Sequence, residues 1–278
     1  MITAFGLDIA GYSTGKSGFV RADRKDDNLI EITVFKEHSF AKICDSKTSL
    51  ENDIVKNEKE LLIACCKKGR LLVDIPIDLQ GLPCPKNVRF IWELVKRPVD
   101  FAFEAMPPLA NLIGYPVARF LNLFSSIQED KDPLGKQIFE TYPAGSLKLL
   151  KSQMPNLPNN KYKKQQTTFR KGIWNSENGI NLSKIANCLK LTSEKEITLN
   201  DDELDAIICA ITGVVDEKYC LYGDELSDKM KKLKGAENFS RICAPAGYVL
   251  LKSLSNMKIG IIEKNGISHK ELLQEVER

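Results

Sequence analysis

Apolar and polar positions alternate so that the chain opens with three strands in a row. Residues 2–10 mix apolar and small residues as a buried strand does, and GYSTGKSG after them reads as a turn. Residues 18–22 (GFVRA) and 29–36 (LIEITVFK) predict two more strands joined by the polar DRKDDN, which makes an antiparallel meander. Over 49–68 the spacing of Leu50, Ile54, Val55, Leu61, Leu62 and Cys65 is helical, and RLLVDIPI, stopped by Pro76, is a fourth strand. A hairpin pair followed by a helical crossover sets strand four parallel to strand one and beside it.

The rest of the chain is less regular. Residues 85–130 are helical in pattern, broken at Pro98, Pro107, Pro108 and Pro116, with aromatic-rich stretches RFIW and FAFEAMPPL. KQIFETYPAG predicts a short fifth strand ending at Pro143, and SLKLLKS a helix. Residues 153–181, rich in Asn, Lys and Gln, predict a flexible loop with a basic helix. LSKIANCLKL is a short helix, and Asn200 opens a long apolar helix over 201–215. A charged helix (224–234), a strand in AGYVLLK (246–252) and a tail ending in SHKELLQEVER follow, with no internal repeat. The expected organisation is one α/β domain over 1–252, with a helical insertion at about 85–130, a basic loop at about 153–181 and a C-terminal extension over 253–278.

Composition narrows the chemistry. The 278 residues carry a net charge of +3, so any basic footprint has to be local. No apolar run reaches the roughly 18 residues of a membrane span, and MITAFGLDIAGYST lacks the charged start and long apolar core of a signal peptide. The eight cysteines form no CxxC pair, which argues against a zinc knuckle or thioredoxin-like motif, and most lie in apolar stretches as free thiols of a reducing, cytoplasmic protein would. The two histidines, His38 and His269, have no ligand-like neighbours and read as surface residues. A metal site here must therefore be made of oxygen, which suits Mg2+ or Mn2+.

Four aspartates fit such a site. Asp8 and Asp74 each follow an apolar run, while Asp202 and Asp205 stand at the start of the apolar helix. A carboxylate facing an apolar interior costs on the order of several kcal/mol unless it is paired or metal-bound. Asn200 as N-cap with Glu203 in a capping box accounts for much of the acidity of 201–203, but Asp205 shares its face with Ile208, Cys209 and Thr212. Taken singly, Asp8 starting a turn and Asp74 closing a strand have bland explanations; the strand order brings the two together. Glu140, at the end of strand five, is a further ligand, a partner for a basic residue, or an edge residue.

The local basic feature is KYKKQQTTFRK, where Lys161, Lys163, Lys164 and Arg170 alternate with Tyr162 and Phe169. Positive charge with aromatics suits a nucleic-acid backbone and an unstacked base, although a solvated lysine loop looks the same. AGYSTGKS also fits a loose P-loop, but Gly18, Phe19 and Val20 continue it as a strand where a phosphate-cradling helix is needed. Lys16 is then placed beside the metal site, near a phosphate.

Taken in order, GLDIAG, LLVDIPI, FETYPAG and DDELDAIICA resemble the family called domain of unknown function 429, predicted nucleases with an RNase H-like fold. The resemblance spans roughly residues 3–215, and AGYVLLK resembles the family's closing strand. It implies a mixed five-stranded sheet flanked by helices, with carboxylates at Asp8, at Asp74 and at Asp202 or Asp205. It also implies a nuclease that hydrolyses phosphodiester bonds with two divalent ions, Mg2+ or Mn2+. GYSTGKSG departs from the shorter glycine turn of many relatives. The alternatives are a catalytically silent nucleic-acid or protein binding module on the same fold, and a P-loop or actin-like nucleotide phosphohydrolase.

Overall fold

The computed structural model describes residues 2–12, 16–41, 52–78, 96–108, 110–125, 127, 133–158, 161–232, 244–254 and 257–278. The RFIW stretch, Ser13 to Gly15 of the first turn, residues 233–234 of the charged helix and Cys44, Cys84 and Cys243 lie outside them. In chain order the elements are β1 (Ile2–Asp8), β2 (Gly18–Arg24), β3 (Leu29–Phe35), α1 (Asn52–Lys68), β4 (Arg70–Val73), α2 (Pro98–Ala102), α3 (Asn111–Phe124), β5 (Ile138–Glu140) and α4 (Pro143–Leu150). There follow β6 (Gln166–Arg170), β7 (Ile173–Asn178), α5 (Asn181–Cys188), β8 (Leu191–Thr192), β9 (Ile197–Asn200), α6 (Asp201–Val214), β10 (Cys220–Tyr222), α7 (Gly223–Lys231), β11 (Val249–Leu251), β12 (Lys258–Lys264) and α8 (His269–Glu277).

The fold is α/β, with a mixed main sheet in the order β5-β4-β1-β2-β3-β12-β8. The opening meander and the parallel pairing of β4 with β1 are as the strand order predicts. Two points differ from expectation. The sheet has seven strands rather than five, and AGYVLLK meets its edge only through a parallel bridge of Tyr248 to Glu140 of β5, while β11 pairs with β10 in a separate two-stranded sheet. The strand beside β3 is β12, which lies in the C-terminal extension and pairs in parallel with β3 from Lys258 opposite Leu29 to Lys264 opposite Phe35. Its alternation is plain in KIGIIEK, where Ile259 and Ile261 are buried. The extension is thus part of the sheet.

The segment 153–181 is also not the flexible loop with a basic helix that its composition predicts. β6 and β7 form a hairpin that pairs with β9 in a three-stranded sheet. Its two-residue turn is Lys171–Gly172, with φ of +52° and +84°, the left-handed pair that matches strand twist. Phe169 and Trp174 pack across the hairpin with ring centroids 5.3 Å apart.

Helices cover both faces of the main sheet. One face, carrying Ala4, Val20, Ala22, Ile32 and Leu72, packs on α6. The other, carrying Phe5, Leu7, Phe19, Leu71 and Val73, packs on α1, α3 and α8 through Leu61, Leu62, Phe120 and Leu272. No described helix is long and apolar enough to cross a membrane.

Candidate metal centre

Strand parity aims the acids. Side chains two apart share a face, so Asp8 follows Ala4 and Gly6 toward α6, and Asp74 follows Leu72. β1 and β4 end level with one another: Leu7 pairs with Val73, and the Asp74 N–H donates to the Leu7 carbonyl at 3.0 Å. α6 supplies the third acid because it lies unusually close to the sheet. A Cβ on Gly6 would stand 1.9 Å from the Ala206 carbonyl oxygen, and one on Gly18 would stand 2.2 Å from that of Asp202. These two glycines let backbone touch backbone and set Asp205, one residue before Ala206, over the ends of β1 and β4. The start of α6 is the predicted capping box: Asn200 accepts from the Glu203 N–H at 2.8 Å and Glu203 accepts from the Asn200 N–H at 2.9 Å.

Asp8, Asp74 and Asp205 converge, each with a carboxylate oxygen within 4.8 Å of those of the other two. Asp202 is not one of the three, although its charge is felt at Asp8. Burial pushes Asp8 well above the carboxylate range, with Asp74 and Asp205 adding repulsion against the pull of Lys163. Burial, then Asp205, lifts Asp74 to about 8, and burial, then Asp201, lifts Asp202 to about 7. Asp205 is raised by burial against Lys163 and Tyr162, which both bond to it. The Tyr162 hydroxyl donates to Asp205 at 2.6 Å and the Lys163 ammonium at 2.5 Å, with Asp8 3.7 Å from the same ammonium. Among the described residues nothing donates a hydrogen bond to the Asp74 carboxylate. Three acids against one lysine leave more carboxyl oxygens than donors, the oxygen set of a hard divalent cation, whose binding would displace the protons that burial and mutual repulsion hold there.

Glu140 takes the second of its three expected roles. Both its oxygens are met by the Arg97 guanidinium, at 2.6 and 2.8 Å, and one accepts the Ile77 N–H at 2.9 Å. Arg97 also holds Asp100. Glu140 therefore ties down the segment after Asp74 and does not join the three aspartates. A second network that sequence reading misses fixes the turn after Asp8. Arg119 donates to the Ala10 carbonyl at 2.7 Å and to buried Glu58, Tyr12 donates to Glu58 at 2.8 Å, and the Ala10 N–H donates to Ser17. The available signal is a charge on each apolar helix face: Glu58 shares its face with Ile54, Leu61, Leu62 and Cys65.

The basic residues divide. Lys163 is in the cluster, and Lys164 adjoins it, with its backbone N–H donating to Asp201 at 2.9 Å. Lys16 and Lys161 are exposed. Arg170 lies at the other end of β6, roughly 13 Å along the strand from Gln166, and pairs with Glu196 at 2.8 Å. The aromatics fail as stacking platforms: Tyr162 is buried on Asp205 and Phe169 on Trp174. Nor are the histidines surface residues, since both are half-buried. His38 packs on Phe19 and Phe40, burial lowering it to about 3, and His269 bonds Ser39 and Glu60. Lys16 and Ser17 lead into β2 rather than a helix, so the P-loop pattern lacks its phosphate cradle. A cavity of about 450 Å³ opens at the opposite ends of β4 and α6, against Arg70, Leu72, Thr212 and Gly213, and none of the acids of the cluster line it.

No curated protein and no solved structure matches the chain. A family does match residues 31–226, a range that includes Asp74, Asp202 and Asp205 and begins after Asp8. The chain belongs to that family, described as Protein of unknown function (DUF429).

Proposed function

We propose that the protein is a Mg2+- or Mn2+-dependent nuclease that hydrolyses phosphodiester bonds on an RNase H-like architecture. The observation that carries this reading is the convergence of Asp8, Asp74 and Asp205 from two strand ends and a helix. The run β3-β2-β1-β4-β5 within the larger sheet supports the architecture. Asp8, Asp74 and Asp205 would hold the metal, with Asp202 at its edge. Divalent ions held there supply a polarised phosphoryl oxygen and an activated water. The chain's own residues do the positioning. Tyr162 orients Asp205, and Arg119, Ser17 and Glu58 hold the turn behind Asp8. Lys16, Lys161, Lys163 and Lys164 offer charge to a phosphate backbone. The free thiols of Cys65, Cys66, Cys188, Cys209 and Cys220 support a reducing, cytoplasmic setting.

One observation favours a second reading, a catalytically silent binding module: Lys163 already neutralises part of the cluster without an ion. Labelled single-stranded, duplex and branched DNA and RNA, incubated with Mg2+ or Mn2+, separate the two. Cleavage by wild type that vanishes in Asp8→Asn supports the nuclease. Binding without cleavage supports the module, and ATP turnover in place of cleavage overturns both.

A further inference from the structure

Lys163 is the one cation within reach of the carboxylate cluster among the described residues, and the way it is held differs from an ordinary surface lysine. Its ammonium is 2.5 Å from Asp205 and 3.7 Å from Asp8, which puts a positive charge against two of the three converging acids. Its side chain is nevertheless 56% exposed, and its contacts gather at the ammonium, on Asp205, Asp8 and the Tyr162 ring, 5.8 Å from the centroid. The backbone beneath it is the opposite. Lys164 adopts a left-handed conformation, φ +62°, unusual for a residue with a side chain. Its N–H is held by Asp201, its carbonyl accepts from Asn178 at 3.2 Å, and the neighbouring Tyr162 is buried on Asp205. The turn is anchored at several backbone points, while the lysine side chain is held only by its charged end.

We propose that Lys163 is a resident counter-ion, which a divalent cation displaces on binding. The inference rests on the reading of Asp8, Asp74 and Asp205 as a divalent-cation site. In the metal-free protein the ammonium tempers repulsion among buried carboxylates. When a divalent ion arrives, ammonium and ion compete for the same oxygens of Asp205 and Asp8. The ammonium swings outward, stays protonated, and is left at the rim where a phosphate would approach. No covalent bond changes; one cation is exchanged for another. Lys163 thereby lowers metal affinity, the reverse of what a residue that builds the site would do.

Calorimetric titration with Mn2+ alone, without nucleic acid, tests this. Lys163→Gln keeps an amide that can donate to Asp205 but removes the charge, and it is expected to bind Mn2+ at least about tenfold more tightly than wild type. Lys163→Arg keeps the charge and is expected to bind near the wild-type affinity. If Lys163→Gln binds Mn2+ as wild type does or more weakly, or if Lys163→Arg tightens as much as Lys163→Gln, the counter-ion role is overturned and the metal site stands. If wild type, Lys163→Gln and Lys163→Met all fail to bind Mn2+, the role falls together with the reading on which it rests. A measurement on the unmutated chain guards against a variant that does not fold. The Lys163 side-chain 15N resonance should shift from its ion-paired to its free position on Mg2+ titration, and a resonance that stays put while Mg2+ binds overturns the proposal.

Discussion

Two acid clusters sit a strand apart at the same end of the sheet, and they are neutralised differently. At Glu140 and Asp100, one guanidinium meets both carboxylates in bidentate fashion, and the Ile77 and Arg97 backbone N–H groups fill remaining lone pairs. At Asp8, Asp74 and Asp205, three carboxylates share one lysine and one tyrosine hydroxyl, and the Asp74 carboxylate accepts no hydrogen bond from any described residue. The first cluster is complete as it stands, and removing a member leaves a buried charge unpaired. The second has more carboxyl oxygens than donors, and two of its acids, Asp8 and Asp74, are only half-buried. Burial by itself therefore does not mark a functional acid. What distinguishes the aspartates is burial without enough donors.

The sharpest way to break the comparison is to remove the partner from the complete cluster. Arg97→Met strands Glu140 and Asp100 and is expected to destabilise the protein by about 3–5 kcal/mol, read from denaturant unfolding. A loss below about 1 kcal/mol would mean that the network is not structural, and the contrast with the aspartates would dissolve.

Removing a member of the incomplete cluster should act on function instead. Asp8→Asn is expected to lower metal-dependent cleavage by at least about a hundredfold, the scale of losing one preorganised charge contact. The same change relieves repulsion, so the melting temperature of the metal-free variant should equal or exceed that of wild type. A variant that cleaves fully, or that unfolds, contradicts the assignment.

The pH dependence sharpens the contrast further. The folded carboxyl of Asp74 sits near 8, well above its ordinary value of 3.8, so its contribution to stability is fully present below about pH 4 and is lost as pH rises toward 8. Metal-free wild type should lose stability over that window relative to Asp74→Asn, and saturating Mg2+ should remove the loss. Metal affinity should rise across the same range as bound protons leave. Parallel melting curves for the two proteins from pH 4 to 9 would rule the effect out.

The smallest effect concerns the basic residues. Arg170, paired with Glu196 on the surface and distant from the acids, should matter little: Arg170→Gln is expected to change stability by less than about 1 kcal/mol and nucleic-acid binding scarcely at all. Lys164→Gln, beside the cluster, should weaken that binding and flatten its salt dependence. Equal effects in a filter-binding assay would show that the whole basic stretch acts as one diffuse patch.

Much of this was written locally. Strand order set β4 beside β1, and the Asn200 capping box marked where α6 begins. The absence of ligand-like histidines left oxygen as the donor. Asp8 and Asp74 were legible because each ends an apolar run, and Asp205 because its helix face is otherwise apolar. The hairpin of β6 and β7 was readable too, from the Lys171–Gly172 turn between β-forming residues, but the charge of the segment outweighed that signal. β12 shows its alternation in KIGIIEK, yet no local pattern says which sheet edge a strand will join.

The sequence by itself determined most element types, the set of candidate acids and the kind of atom they offer, because these follow from periodicity, capping and side-chain chemistry within a few residues. Only the tertiary structure decided which acids meet. Glu140 and Asp74 look alike as carboxylates at strand ends, but Arg97, 43 residues from Glu140, completes one, while the close approach of α6 over Gly6 and Gly18 brings Asp205 to the other. The fate of Lys163 and Tyr162 was settled the same way, when folding carried them 42 and 43 residues along the chain onto Asp205. Whether a buried charge is satisfied depends on partners distant in sequence, and folding alone sets their distances.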